Sequence, residues 1–161
     1  MSITVFQIII AGIGSCIIFD LWQRIFAIAT GIPPSNWAMV GRWLLGATGG
    51  QGLIARDLAA RPAHPHEAAA GWALHYMVAV GYAVLYAVLM QAGWLGAGLI
   101  DGLVFGVISV VVPWFFFMPA LGNGVMARWA PNPPLACAVA LVMHAVFGLA
   151  MGGLFALLAS A

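Results

Sequence analysis

The chain has 161 residues, 65% of them apolar and only 6% charged, with a mean hydropathy of +1.09. Water-soluble domains are nearer half apolar and a quarter charged, so this composition excludes them. Five arginines, no lysine and four acids give a net charge of +1 and no basic patch for nucleic acid.

In lipid, only helices and closed barrels satisfy their own backbone. The apolar segments are long runs, not alternating ten-residue strands, which favours helices. The fold class is therefore all-α: one polytopic membrane domain over residues 1–161, with four spans of roughly 20 residues each.

The first span covers residues 3–29 and stops at Gly31-Ile32-Pro33-Pro34, where two prolines cannot continue a helix. Residues 1–4 carry no side-chain charge, and Asp20 and Arg24 interrupt the stretch before Ala27-Ile28-Ala29. Those features predict a retained transmembrane helix and not a cleaved signal peptide. In the connection 30–66, Ser35 can cap a segment over 36–46 whose Trp37, Val40, Trp43 and Leu44 recur at helical spacing. Arg42 interrupts it, which suits a short interfacial or re-entrant helix. Gly49-Gly50-Gln51-Gly52 reads as a flexible link, and residues 53–61 as a second short surface helix.

The second span covers 67–92, with Pro65 and Glu67 suited to a helix start. An uncharged turn over 93–98 leads to the third span, 97–119, which Pro113 should kink. The loop 122–134 carries Arg128 and ends in Asn132-Pro133-Pro134, a cap followed by prolines that opens the fourth span, 135–158. All five arginines, at 24, 42, 56, 61 and 128, fall at or beyond the ends of spans one and three. The positive-inside rule then makes that side cytoplasmic and both termini external, in a multi-pass inner membrane protein.

Asp20, His75 and His144 stand out as ionisable groups inside apolar spans, where they are costly and mark sites by default. Each lies roughly 12–14 Å inside the cytoplasmic helix ends at 1.5 Å per residue. Three stripes at helical spacing follow from these positions: Gly12, Cys16, Asp20 and Arg24; His75, Ala79, Tyr82 and Tyr86; and His144, Gly148 and Gly152. Arg24, four residues after Asp20, can pair with it, and Tyr82 and Tyr86 can extend a line of hydroxyls. Cys16 and Cys137 read as small apolar residues or as soft metal donors. Asp101 reads as a solvated acid at a helix start. The sequence trio His64, His66 and Glu67, on a proline-rich loop, is a weak metal pattern.

Three chemistries fit Asp20, His75 and His144, with Arg24, Arg42, Cys16, Cys137 and Tyr82 in support. The cofactor stays open between a metal ion held by imidazole, carboxylate and thiolate and a haem iron held by two histidines. A proton relay is the third chemistry. The run Trp114-Phe115-Phe116-Phe117 reads as an interfacial belt or as the wall of a quinone or lipid slot. Gly98, Gly102 and Gly106, with Gly148 and Gly152, form GxxxG-type seams, for packing within one chain or for a homo-oligomer or larger membrane complex. The bilayer itself is the one partner composition demands. Nothing indicates an enzyme type: serine nucleophile motifs and phosphate-cradling glycine loops are absent.

Several stretches taken together resemble a family of small bacterial integral membrane proteins known as domain of unknown function 2938. They are Asp20-Leu21-Trp22, Gly31-Ile32-Pro33-Pro34-Ser35-Asn36-Trp37, Val40-Gly41-Arg42-Trp43, His75-Tyr76, Pro119-Ala120-Leu121-Gly122, Asn132-Pro133 and His144-Ala145-Val146-Phe147-Gly148-Leu149. The resemblance covers nearly the whole chain and implies a bacterial inner-membrane protein, with no activity attached. Asp20, Arg42, His75 and His144 lie within its motifs. The leading expectation is a pocket in the cytoplasmic half that binds a metal ion or small polar ligand, in the service of transport. A haem- or quinone-binding redox protein and a non-catalytic scaffold subunit are the alternatives.

Overall fold

A computed structural model describes residues 3–160; Met1, Ser2 and Ala161, the ends of the expected single domain, lie outside the described residues. The regular structure of the described residues is all helical, with no strand: α1 (Val5–Thr30), α2 (Trp37–Thr48), α3 (Glu67–Gln91), α4 (Leu99–Ser109), α5 (Met118–Ala120) and α6 (Pro133–Ala159). Four helical stretches are long and apolar enough to cross a membrane: α1, α3, α6 and Leu99–Ala120, which includes α4 and α5. Much of each is exposed, including Val5, Phe6, Leu21, Ile25 and Ile28 on α1. Helices that are apolar on every side are stable only where lipid or protein surrounds them.

Local chemistry sets the ends. Thr4 and Gln7 close a reciprocal capping box at the start of α1, with no charge used. Gly31, in the left-handed region at φ 75°, donates its N–H to the Ala27 carbonyl at 2.9 Å and ends the helix. Pro113 has no N–H to give the helical ladder, and the chain widens into a π-helical turn over Pro113–Phe117 before α5.

Contacts divide the chain into two units. The first comprises Met1–Pro34, Tyr76–Ser109 and Leu141–Ala161. Here α4 and α6 approach along glycine: a Cβ on Gly102 would lie 2.9 Å from the Gly152 Cα, and one on Gly148 would lie 2.6 Å from the Gly106 Cα. Only a residue without a side chain permits that backbone contact. Gly12 of α1 lies against α3 in the same way, 2.9 Å from the Val80 Cα to its would-be Cβ. The buried Tyr86 fills the remaining space, stacked on Phe155 at 5.2 Å and edge-on to Phe105 at 5.0 Å. The side chain of Gln7 donates to the Leu158 carbonyl at 2.8 Å, joining α1 to α6.

The second unit comprises Ser35–His75 and Val110–Ala140. Asn36 caps α2 by accepting the Met39 N–H, and α2 buries Val40, Gly41, Trp43 and Gly46. Gly41 and Gly71 bring α2 onto α3, where a Cβ on Gly41 would stand 2.6 Å from the Gly71 nitrogen. Trp43 centres a small core with Ala55, Leu58 and Ala120, and its indole N–H donates to the Leu53 carbonyl at 2.7 Å. The expected surface helix over 53–61 shrinks to a single 3-10 turn, Leu58–Ala60. Two of its backbone groups are committed elsewhere, since Leu53 receives the Trp43 indole and the Ala55 N–H donates to Ala120 at 2.9 Å. So short an isolated helix is also marginal on its own.

Candidate functional site

Asp20, His144, His75 and Arg42 each meet a definite neighbour. In the first unit, Asp20 is half-buried on α1 and accepts a hydrogen bond from the Tyr76 hydroxyl of α3 at 3.1 Å. Cys16, one turn earlier on α1, is fully buried. The expected Asp20–Arg24 pair is not formed: Arg24 is exposed and makes no ion pair among the described residues. Spacing of four residues permits that pair, but the tyrosine supplies a donor without bringing a second charge into the apolar span.

His144 on α6 forms a second polar pair. Its Nδ1 lies 2.8 Å from the Ser109 hydroxyl of α4, and that hydroxyl also lies 2.8 Å from the Gly106 carbonyl. A carbonyl only accepts, so the Ser109 proton satisfies Gly106 when His144 carries its proton on Nδ1. Tyr82 presents its ring edge-on to His144, with centroids 6.1 Å apart, and Phe147 closes the same side. The tyrosine hydroxyls do not form the expected line: Tyr82 donates to the Ser109 carbonyl at 3.4 Å and Tyr86 to the Gly96 carbonyl at 2.9 Å. Asp20 and His144 therefore belong to separate hydrogen-bonded pairs, one between α1 and α3, the other between α4 and α6. The glycine seam runs past His144, since Gly106 packs on the His144 carbonyl and Gly102 on that of Gly148. Its open alternative is decided by that contact: these glycine faces are used within one chain.

In the second unit, His75 is half-buried and stacks on Trp37, with centroids 3.7 Å apart and planes 20° from parallel. Trp72 meets the same ring edge-on at 5.8 Å. The imidazole is thereby stacked on one indole and in edge contact with another.

Arg42 projects from α2 into a polar cluster. Its Nε and one terminal nitrogen donate to the two Glu67 oxygens at 2.7 and 2.9 Å, and the other terminal nitrogen donates to the Arg61 carbonyl at 3.0 Å. This bidentate fork clamps α2 to the first residue of α3. Glu67 holds Arg42 firmly cationic, raising its pKa above the ordinary arginine value. Arg61 in turn donates to Asp57 at 2.9 and 3.1 Å and to Gln51 at 2.9 Å, and holds the Asp57 carboxyl below its ordinary range. These side chains and His64 line an open cavity of about 520 Å³.

The sequence trio His64, His66 and Glu67 has a local structural role. Glu67 accepts from the His64 backbone N–H at 2.9 Å, and His64 Nδ1 accepts from the His66 N–H at 3.2 Å. The three residues form a turn that opens α3. Cys137 donates its thiol to the Met126 carbonyl at 3.2 Å, and neither cysteine is in a disulfide among the described residues. The aromatic run divides between roles, since Phe116 and Phe117 pack edge-on against Trp43 at 6.0 and 5.9 Å while Phe115 is largely exposed.

Sequence reading missed three partners: Tyr76 for Asp20, Ser109 for His144, and Glu67 for Arg42. A signal existed for two. Ser109 is a lone hydroxyl in an apolar span, and Tyr76 follows His75 directly. The Arg42–Glu67 clamp joins residues 25 apart and has no local signature.

A family described as protein of unknown function (DUF2938) matches residues 9–158. No curated protein and no solved structure matches the chain.

Proposed function

The chain belongs to the DUF2938 family, and we propose that it is a metal-binding membrane protein whose site is built on Cys16 and Asp20 of α1. Thiolate and carboxylate together suit a borderline divalent ion such as zinc or cobalt. The observation that carries the reading is the Asp20–Tyr76 hydrogen bond. It fixes the Asp20 carboxylate against α3, and Cys16 stands one turn away on α1.

On this reading Tyr76 orients Asp20 by donating to one oxygen, which leaves the other available as a ligand. The apolar helices exclude water. His144, hydrogen-bonded to Ser109, has a packing role. A carboxylate in an apolar span also suits movement of the ion across the bilayer, and transport is the activity assigned to the site. The arginine distribution supports an inner-membrane protein with both termini outside and the loops of the second unit in the cytoplasm.

Cobalt(II) titration of the purified protein tests the site. Wild type should develop a thiolate-to-cobalt absorption band that Cys16→Ser abolishes, because a coordinating thiol is deprotonated by its metal. Asp20→Asn should weaken binding, while His144→Ala leaves it unchanged. Absence of the band in wild type, with no metal found by elemental analysis, overturns the reading.

A further inference from the structure

Arg56 and Arg128 differ from the other arginines of the second unit. Arg42 and Arg61 are neutralised by Glu67 and Asp57, whereas Arg56 and Arg128 are exposed and make no ion pair among the described residues. Both guanidinium groups nevertheless sit on one indole, with their central carbons 4.8 and 4.5 Å from the Trp129 ring centroid. Each gains from the ring face, but two like charges around one ring repel each other, and neither is in an ion pair with a carboxylate among the described residues. Two guanidinium groups that share one indole and are in no ion pair are a complement to an anion, above all to a phosphate, which each can bind by paired N–H donors.

The backbone holds this arrangement in place. The Ala55 N–H donates to Ala120 at 2.9 Å, and Gly122, at φ 90°, lies so close that a Cβ would fall 3.1 Å from the Arg56 Cα. The Trp129 N–H donates to Asn123 at 2.9 Å. Met126 and Ala127 both occupy the left-handed region, at φ 50° and 55°, which is unfavourable for residues with a Cβ. The Cys137 thiol on the Met126 carbonyl and the buried Ala127 keep them there. Met126 is thereby left exposed, as are Leu53, Ile54, Val125 and the 47%-exposed Trp129.

Cations, an amphipathic indole and exposed aliphatic side chains thus share the two connections that join spans one to two and three to four. Those connections emerge at the polar boundary of any bilayer the spans cross, where arginine and tryptophan meet headgroups. We propose that Arg56, Arg128 and Trp129 form a binding site for the headgroup phosphate of an anionic phospholipid. Leu53, Ile54 and Met126 reach the acyl boundary beside it. A soluble phosphate would satisfy the guanidinium groups and leave these apolar side chains in water, so the lipid is the better complement. This site is independent of the proposed metal site and uses none of its residues.

The test is lipid binding to the full-length protein in detergent, read by native mass spectrometry with phosphatidylglycerol and phosphatidylcholine of matched chains. Wild type should retain phosphatidylglycerol preferentially. At about 1 kcal/mol for each basic residue near an anionic surface, the Arg56→Gln/Arg128→Gln protein should bind phosphatidylglycerol about 30-fold more weakly. Phosphatidylcholine binding should not change. Arg24→Gln, which removes one exposed charge elsewhere, should have no such effect. The Arg56→Lys/Arg128→Lys protein keeps the charge without the paired donors and should bind phosphatidylglycerol less tightly than wild type but more tightly than the Gln variant. Equal retention of the two lipids by wild type overturns the proposal. So does an unchanged Gln variant, a Lys variant as weak as the Gln variant, or inorganic phosphate displacing the lipid at comparable concentration.

Discussion

Gly102 and Gly81 offer a matched pair of substitutions with opposite expected signs. Both glycines lie in membrane-spanning helices of the first unit, and both become alanine. At Gly102 the new methyl would lie 2.9 Å from the Cα and the nitrogen of Gly152, about half an ångström inside the 3.4 Å at which ordinary contact begins. The Gly148 carbonyl is closer still, and every neighbour is backbone, so no side chain can rotate away. The two helices must therefore separate, breaking the contacts on either side of the seam. Overpacking of this kind costs about 1–3 kcal/mol. At Gly81 a methyl would meet nothing within 4 Å, and alanine gains about 1 kcal/mol of helix propensity over glycine. The two variants should thus differ by about 2–4 kcal/mol in stability. Reversible unfolding in mixed micelles, followed by helical circular dichroism, measures the difference. Gly102→Ala with Gly148→Ala should cost less than the two changes separately, because the first separation makes room for the second. A Gly102→Ala protein as stable as wild type would refute the reasoning, since the seam would then have slack that its geometry denies.

Ser109→Ala should cost about 1 kcal/mol in the same assay, through loss of the hydrogen bond between Ser109 and His144, and His144→Leu made in that background should add less than it does in wild type. Tyr76→Phe should lower metal affinity about 10–100-fold without removing a ligand, a loss read by cobalt titration and absent if Asp20 does not contribute. The Asp57 carboxyl is held below its ordinary pKa of 3.8 chiefly by its hydrogen bonds from Arg61. A depressed folded pKa means that this contribution is complete above 3.8 and is lost as pH falls through the lower, folded value. Amide exchange over residues 57–61 should accordingly speed up relative to the rest of the chain in acid, and Arg61→Gln should remove that pH dependence.

How much could be read without coordinates differs between the frame and the site. The ends of α1 followed from Gly31 and the prolines after it, because backbone geometry and a missing N–H act within a few residues. The position of α3 followed similarly from Glu67, a charge at the end of an apolar run. Partner choice did not follow. Asp20 has Arg24 one turn away, yet it accepts a hydrogen bond from Tyr76, 56 residues distant. His144 bonds Ser109, 35 residues away, and Arg42 clamps Glu67 across a loop of which only a 3-10 turn is helical.

The reason lies in the solvent these helices are written for. A helix in water labels its buried face with an apolar stripe, and periodicity then reports its rotation. Helices α1, α3 and α6 are apolar on all sides, so composition and length determine that they span and where they stop, with no statement of which face meets which neighbour. Glycine spacing marks faces that can approach closely, but a seam on α4 and one on α6 suit an intrachain contact and an oligomer equally well. Only tertiary packing decides between them, by bringing Gly102 and Gly106 onto Gly148 and Gly152 and thereby setting the rotation that places Ser109 beside His144.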